Sequence, residues 1–281
     1  LIPQQRPVER ERIAAHGVRL LKSKFTKAFA SFDMKKLKII TAFDSGYEIG
    51  HLALPTHMLY ASLYGYSFEK FDVANFDRPP AWFKVKALLD ELDRNEHEFV
   101  LWVDADAFVV DFGFDFMAEI GNHLDSGKSL YLCSHFISNV STSLDFLTLA
   151  KSRINTGVML VRNTDHARAL LRAVWEKTEY MNHSWWEQAA LMDLLGYKME
   201  LNGDANSNKR SERFFEHVGA LPAYMNCIPA EDHMHGSETM APVIIHLAGI
   251  PGRMEIARNM LKNMQLRITN RKLTKMPTDL F

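Results

Sequence analysis

Apolar and polar positions along the chain fall into short runs whose order predicts an α/β fold. The first is Lys38-Ile39-Ile40-Thr41-Ala42-Phe43, a β-rich stretch that ends in the turn residues Asp44-Ser45-Gly46. A helix is expected from His51 to Leu63, with Pro55 imposing a late start or a kink and Gly65 ending it. Tyr66 to Phe71 alternates as a second strand. Phe83 to Leu92 places Phe83, Leu88, Leu89 and Leu92 at helical spacing. Phe99-Val100-Leu101-Trp102-Val103 is nearly continuous in apolar character, as in a strand buried on both faces. Strand, helix and strand in this order predict a mostly parallel central sheet flanked by helices. Later strands are expected over Ser129 to Cys133, Gly157 to Val161 and Val243 to His246. Later helices are expected over Asp165 to Glu179, Glu187 to Leu195 and Met254 to Met264. The polar stretches Asn202 to Arg213 and Glu231 to Thr239 read as surface loops.

Before this pattern begins, residues 1–36 form a basic stretch with Ile13, Val18, Leu20, Leu21, Phe25 and Phe29 at helical intervals. It is either an amphipathic helix packed on the main domain or a surface that meets acidic lipid or a partner. With neither repeat nor linker, the expected division is a helical extension over 1–36, one catalytic domain over 37–254, and a C-terminal helix and tail over 255–281.

Composition narrows the function classes. Of 281 residues, 47% are apolar and 24% charged, which excludes disordered and fibrous chains. Lys and Arg number 33 against 34 Asp and Glu; the net charge of −1 provides no global field for nucleic acid. Cys133 and Cys227 make neither a disulfide framework nor a zinc pattern, and one bridge between them stays open. No apolar run is long enough to span a membrane. The chain starts at Leu1 rather than Met, so an anchor or signal upstream is one expectation.

Candidate chemistry centres on Asp104-Ala105-Asp106, directly after the buried strand. Ligands of open α/β sheets bind beyond the carboxyl ends of the strands, where two carboxylates can converge on one hard cation. Taken alone, the spacing fits a turn-forming pair equally well. His246, at the end of the late strand, is a candidate third ligand, and manganese accepts mixed nitrogen and oxygen donors better than magnesium. Gly249 would let backbone approach a phosphate, and Arg253, or less readily Arg258, would supply a cation.

Five further stretches join this motif in order. They are Ile39-Ile40-Thr41, Trp82-Phe83-Lys84, Asn155-Thr156-Gly157 running on to Arg162-Asn163, Glu187-Gln188-Ala189-Ala190, and His246-Leu247-Ala248-Gly249. Together they resemble a GT-A fold glycosyltransferase, most of all glycosyltransferase family 34, the retaining galactosyl-, mannosyl- and xylosyltransferases. The resemblance spans about residues 37–254 and departs in two places. Glu187 stands where Asp is usual, and the segment after Gly249 lacks the usual Cys and Lys-Pro.

The resemblance implies a nucleotide-sugar donor, UDP-linked by preference, a carbohydrate acceptor, and Mn2+ or Mg2+ bound by Asp104, Asp106 and His246. Donor contacts would come from Thr41, Ala42, Phe43, Lys84, Asp104, Ala105, Gly249 and Arg253, with Lys86 as the fallback lysine. Asn155 and Gln188 would hold sugar hydroxyls, and Glu187 would flank the anomeric carbon as a nucleophile or as a stabiliser of oxocarbenium character. Trp82, Phe136, Trp185 and Trp186 are candidate acceptor platforms, and otherwise core residues. His233 and His235 read as solvated loop residues, and the sequons at Asn139 and Asn182 do not establish secretion. A homodimer and membrane association through the N-terminal region stay open. The implied compartment is the Golgi lumen in a eukaryote and the cytoplasm otherwise.

A nucleotidyltransferase of related fold would want a glycine-rich basic loop after the first strand, where Asp44-Ser45-Gly46-Tyr47 stands, and two further competing classes remain. A haloacid-dehalogenase-type phosphohydrolase also ends a buried strand in Asp-x-Asp, but it would want Thr or Val after the second Asp, where Ala107 and Phe108 stand. A catalytically silent sugar-binding module would keep the fold and lose turnover.

Overall fold

The computed structural model describes residues 36–136, 152–199, 205–207, 212–229 and 241–274. Its first half alternates strand and helix: β1 (Leu37–Ala42), α1 (Glu48–Tyr64), β2 (Ser67–Phe71), α2 (Phe83–Arg94) and β3 (Phe99–Val103). The chain then turns into β4 (Ala107–Val109), the single-turn α3 (Phe116–Glu119), β5 (Leu130–Phe136), β6 (Ser152–Arg162), α4 (Asp165–Glu176) and α5 (Trp186–Leu194). It closes with β7 (Tyr197–Met199), β8 (Ala205–Ser207), α6 (Glu212–Phe215), β9 (Val218–Ala220), β10 (Ile244–His246) and α7 (Arg253–Thr274). All but the last residue of the expected helix of residues 1–36, and the loop histidines His233 and His235, lie outside the described residues.

Six strands form the central sheet in the order β2-β1-β3-β6-β5-β9. The β1–β2, β1–β3 and β5–β9 pairings are parallel, whereas β3–β6 and β5–β6 are antiparallel. Alternation gives this sheet two apolar faces. Ile40, Trp102, Leu132 and Val161 pack with Val85, Leu88, Leu92, Leu170 and Val174 of α2 and α4 on one side. Ile39, Leu101, Leu160 and Tyr131 pack with Tyr60, Phe116 and Ile244 on the other. A fully buried leucine such as Leu88 contributes about 1.5–3 kcal/mol of transfer free energy, so the sheet is fixed from both sides.

Several boundaries differ from the sequence pattern for physical reasons. Helix α1 starts at Glu48 and carries Pro55 in its interior, so the proline neither delays its start nor ends it. The lost N–H bond is outweighed by the burial of Ile49, Ala53, Tyr60 and Ala61, and Gly65 at φ 69° closes the helix as expected. Strand β6 extends back through Asn155 and Thr156, where polar residues had hidden it. Helix α4 stops at Glu176 and gives way to a 3-10 turn over Thr178–Tyr180, while Lys177 pairs with Asp193 of α5 at 2.6 Å. Part of the stretch read as a loop forms β8, antiparallel to β7. Helix α7 begins at Arg253, one residue before the expected Met254, and runs on past Met264 to Thr274.

Two features of the fold prepare the site. The β5–β6 ladder shifts register between Leu132, opposite Met159, and Cys133, opposite Asn155, leaving Thr156 to Val158 out of step with β5. Such irregularities re-aim side chains at strand ends. In addition, β4 pairs antiparallel with β10, with His246 directly opposite Ala107. That pairing carries the histidine to the turn leaving β3. Helix α1 braces the arrangement: Val109 N–H donates to Thr56 Oγ1 at 3.2 Å, and His57 Nε2 donates to the Ala107 carbonyl at 2.6 Å.

Candidate active site

Beyond the C-terminal end of β3 the chain makes a tight turn, closed by Ala107 N–H to the Asp104 carbonyl at 3.0 Å and anchored to β6 by Asp104 N–H to the Gly157 carbonyl at 2.7 Å. The two aspartates therefore leave the sheet together instead of pointing to opposite faces. In each, one carboxylate oxygen is held by protein donors. Asp104 Oδ1 accepts from Trp102 Nε1 at 2.6 Å and meets Lys84 Nζ at 3.0 Å. Asp106 Oδ2 accepts from Tyr47 Oη at 3.2 Å and from an Arg253 guanidinium nitrogen at 3.0 Å.

The other oxygens face His246. Its Nε2 lies 3.2 Å from Asp106 Oδ1 and 3.7 Å from Asp104 Oδ2, and one ligand atom from each residue falls within 4.8 Å of the others. These separations are short enough for the three side chains to hold one divalent cation between them. The donor set of two carboxylates and an imidazole suits a divalent cation. Among the described residues this is the one such cluster of three. Burial pushes the Asp106 carboxyl up, but hydrogen bonding and charge from His246, then Arg253 and Tyr47, outweigh it and hold the group at about 2.

A second group of charges adjoins the first. Lys84, only 3% exposed, places Nζ 2.9 Å from Glu187 Oε1 and 3.0 Å from Asp104 Oδ1, and donates to the Thr156 carbonyl at 2.9 Å. Desolvation opposes its charge, yet the two carboxylates prevail and raise its pKa. Glu187 is also buried. Its Oε1 accepts from Lys84 and from Thr156 Oγ1 at 3.0 Å, whereas Oε2 has no partner. Burial raises its pKa against the pull of Lys84 and Thr156, and the nearby Asp104 charge adds to the rise. Gln188, the next residue of α5, accepts at Oε1 from Thr156 N–H at 3.1 Å.

The expected residues are thus largely brought together, with changes in what they do. Asp104, Asp106, His246, Lys84, Glu187 and Arg253 form one connected network. Asn155 joins it from β6, its Oδ1 accepting from Gly157 N–H at 2.7 Å and Asn226 Nδ2 at 2.8 Å. Thr41 and Ala42 end β1, with Phe43 just beyond it, at the same edge of the sheet as Asp104, since β1 and β3 run parallel. Thr41 is buried with an unpartnered Oγ1, and the Phe43 ring lies under α1 against Gly50. Ala105 is buried in the turn. Gly249 adopts φ 64° with open space where a Cβ would be, so a left-handed turn, not close packing, calls for glycine.

Other expectations are corrected. Lys84 does not present a free ammonium to a diphosphate: protein acceptors surround it. Lys86 lies on the exposed side of α2, paired with Asp90, and is no substitute. Trp82 is fully buried beside Trp175 and cannot stack on an acceptor. The adjacent tryptophans divide: Trp185 packs partly into the core, while Trp186 is 44% exposed at φ 42°. Phe136 ends β5. Cys133 and Cys227 are both thiols.

Sequence reasoning missed Tyr47, Asn226 and the packing role of Gly157. Tyr47 and Asn226 lie in irregular segments with no periodic signal. A Cβ on Gly157 would sit 2.1 Å from His246 Cε1, a contact that only the folded chain reveals.

Comparison with known proteins gives a consistent picture. The profile of the galactosyl transferase GMA12/MNN10 family matches residues 53–211, more than half of the chain. A solved glycosyltransferase involved in glycosylation of the major capsid of PBCV-1 is similar in fold: TM-score 0.55, 16% identity, 81% of this chain and 99% of that one. The galactosyltransferase LgtC, solved with donor and acceptor sugar analogs, matches at TM-score 0.47 and 14% identity over 80% of this chain and 95% of its own. GlyE of Streptococcus pneumoniae TIGR4 matches at TM-score 0.46 and 16% identity, over 88% and 66%. No curated protein sequence matches significantly.

Proposed function

Because the chain belongs to the galactosyl transferase GMA12/MNN10 family, and is a glycosyltransferase of GT-A fold, we propose a specific reaction for it. It transfers a hexose or pentose from a UDP-sugar to a hydroxyl of a glycan or similar acceptor, with retention at the anomeric carbon and dependence on a divalent cation. The observation that carries this reading is the convergence of Asp104, Asp106 and His246 beyond the end of β3, with one ligand atom from each within 4.8 Å of the others.

Bound there, a divalent ion supplies neutralising charge to the departing diphosphate. The chain's residues do the rest. Asp104 and Asp106 are pre-set by Trp102, Lys84, Tyr47 and Arg253, so little reorganisation accompanies binding. The Arg253 side chain is about one-third exposed, which leaves part of its guanidinium to meet phosphate oxygens. Asn155 and Gln188 have their oxygens committed within the protein, so their amide N–H groups are the ends offered to sugar hydroxyls. The sugar–phosphate C–O bond breaks, the acceptor oxygen bonds to the anomeric carbon, and its proton passes to the departing phosphate oxygen. Glu187, fixed by Lys84 and Thr156, supports positive charge developing on the sugar instead of attacking it, which favours same-face transfer. Trp186 offers an exposed ring to the acceptor, its strained backbone held one residue before Glu187.

No described helix is long and apolar enough to cross a membrane. In a eukaryote the reading implies the Golgi lumen.

The test is calorimetric titration of UDP and GDP with and without Mn2+, on the wild type and Asp106→Ala. UDP binding that needs Mn2+ and is lost in the variant is expected. Preference for GDP would move the donor to mannose, and a folded protein binding neither nucleotide would end the transferase reading.

A further inference from the structure

A run of hydrogen bonds leads from the backbone of β6 to the ring of His246, and each link fixes the polarity of the next. Gly157 N–H can only donate, so the atom it meets at 2.7 Å is the oxygen of the Asn155 amide. Asn226 approaches the same oxygen at 2.8 Å and must present Nδ2 to it. The Asn226 oxygen is thereby turned the other way, to His246 Nδ1 at 2.9 Å. An amide oxygen only accepts, so Nδ1 keeps a proton; the proton that Nε2 shares with Asp106 is the one a cation would replace, and the neutral imidazole then has its lone pair on Nε2. Nε2 is the nitrogen facing Asp106 Oδ1 and Asp104 Oδ2.

The geometry points to Asn226 as the positioning residue of the metal site: it selects the His246 tautomer able to ligate a cation and fixes the plane of the ring. This rests on the metal-site reading proposed above. Asn226 is 2% exposed, so its amide is spent on these two partners and not on water. Backbone bonds from Cys227 N–H to the Ile244 carbonyl at 2.9 Å, and from His246 N–H to the Cys227 carbonyl at 2.8 Å, lock its segment to β10. Gly157 completes the arrangement by leaving the space that the His246 ring fills. Partners beyond the direct ligands commonly orient a metal-binding histidine, and losing one weakens metal affinity about 10–100-fold.

The experiment uses the whole chain and two readouts. Histidine side-chain 15N–1H correlation spectra of the wild type loaded with Zn2+, with His246 assigned by its absence in His246→Gln, should show the proton on Nδ1. Electron paramagnetic resonance titration with Mn2+ should show Asn226→Leu, similar in volume but without the amide, binding about 10–100-fold more weakly at a retained fold. A proton on Nε2 in the loaded wild type overturns the inference whatever the variant does. So does a folded Asn226→Leu that binds Mn2+ within about threefold of wild type, a margin well inside the expected range. Failure of the wild type to bind Mn2+, or binding that Asp106→Ala leaves intact, instead removes the metal site itself and this inference with it.

Discussion

Adding one methyl group at Gly157 should disable the site with little damage elsewhere. An alanine Cβ there would lie 2.1 Å from His246 Cε1, 2.4 Å from Nδ1 and 2.8 Å from Asn155 Oδ1. The backbone of Gly157 is outside the left-handed region, so alanine brings no dihedral penalty and the effect is steric. Restoring a contact of about 3.4 Å requires the ring to retreat by roughly 1.3 Å, whereas metal–ligand distances tolerate only about 0.2 Å. His246 is then lost as a ligand, and Asn155 is displaced together with it. The expected outcome is Mn2+ affinity lower by about 100-fold or more, equivalent to at least about 2.7 kcal/mol. Overpacking should cost about 1–3 kcal/mol of stability. Calorimetric Mn2+ titration and thermal melting measure the two separately. Gly157→Ala binding Mn2+ within about threefold of wild type would refute the packing argument, since that margin lies far inside the predicted loss.

Other substitutions probe different links. Lys84→Met leaves Glu187 and Asp104 without their shared cation and should cost about 3–5 kcal/mol in denaturant unfolding, because breaking a buried pair strands its charge. Adding Glu187→Gln should return part of that stability without restoring turnover; no recovery in the double variant would show that the charges are not coupled. His57 is fully buried, and burial depresses its pKa to about 4 despite the bond to Ala107. The unfolded chain therefore binds more protons between pH 6.5 and 4, and stability should fall by about 3 kcal/mol as pH drops through that window. His57→Gln should flatten this slope in pH-dependent melts, and an unchanged slope would locate the titration elsewhere. Trp186→Ala should raise KM for the acceptor by about 5–13-fold, the scale of about 1–1.5 kcal/mol for one lost aromatic contact, and leave donor binding intact; a matching loss of donor affinity would place Trp186 elsewhere.

Where burial and chemistry agree along the chain, the sequence is readable. Strand β3 is apolar at every position and ends in two aspartates, so both its place in the sheet and the motif beyond it follow from the pattern. Helix α2 likewise shows its apolar face. Lys84 illustrates the limit: its sequence spacing does not show whether its ammonium reaches a ligand or, as here, two carboxylates from distant segments. Asn155 and Thr156 obscured the start of β6 because they are polar in a strand interior, and they are polar because that interior borders the site. Asn226 follows a 3-10 turn and leaves no periodic trace; only its two partners, 71 and 20 residues away in sequence, mark it.

The double grip of Lys84 also bears on how this scaffold could acquire new substrates. One ammonium joins Asp104, beyond the end of β3, to Glu187 at the start of α5, and in the proposed reaction these two carboxylates serve the leaving group and the sugar. A change at Glu187 therefore alters the setting of Asp104, and the two halves of the donor cannot be retuned independently through these residues. Sugar preference is free to drift at positions outside that coupling. The amide ends of Asn155 and Gln188 and the exposed ring of Trp186 are the natural places for diversification, for a breeder of variants as for evolution.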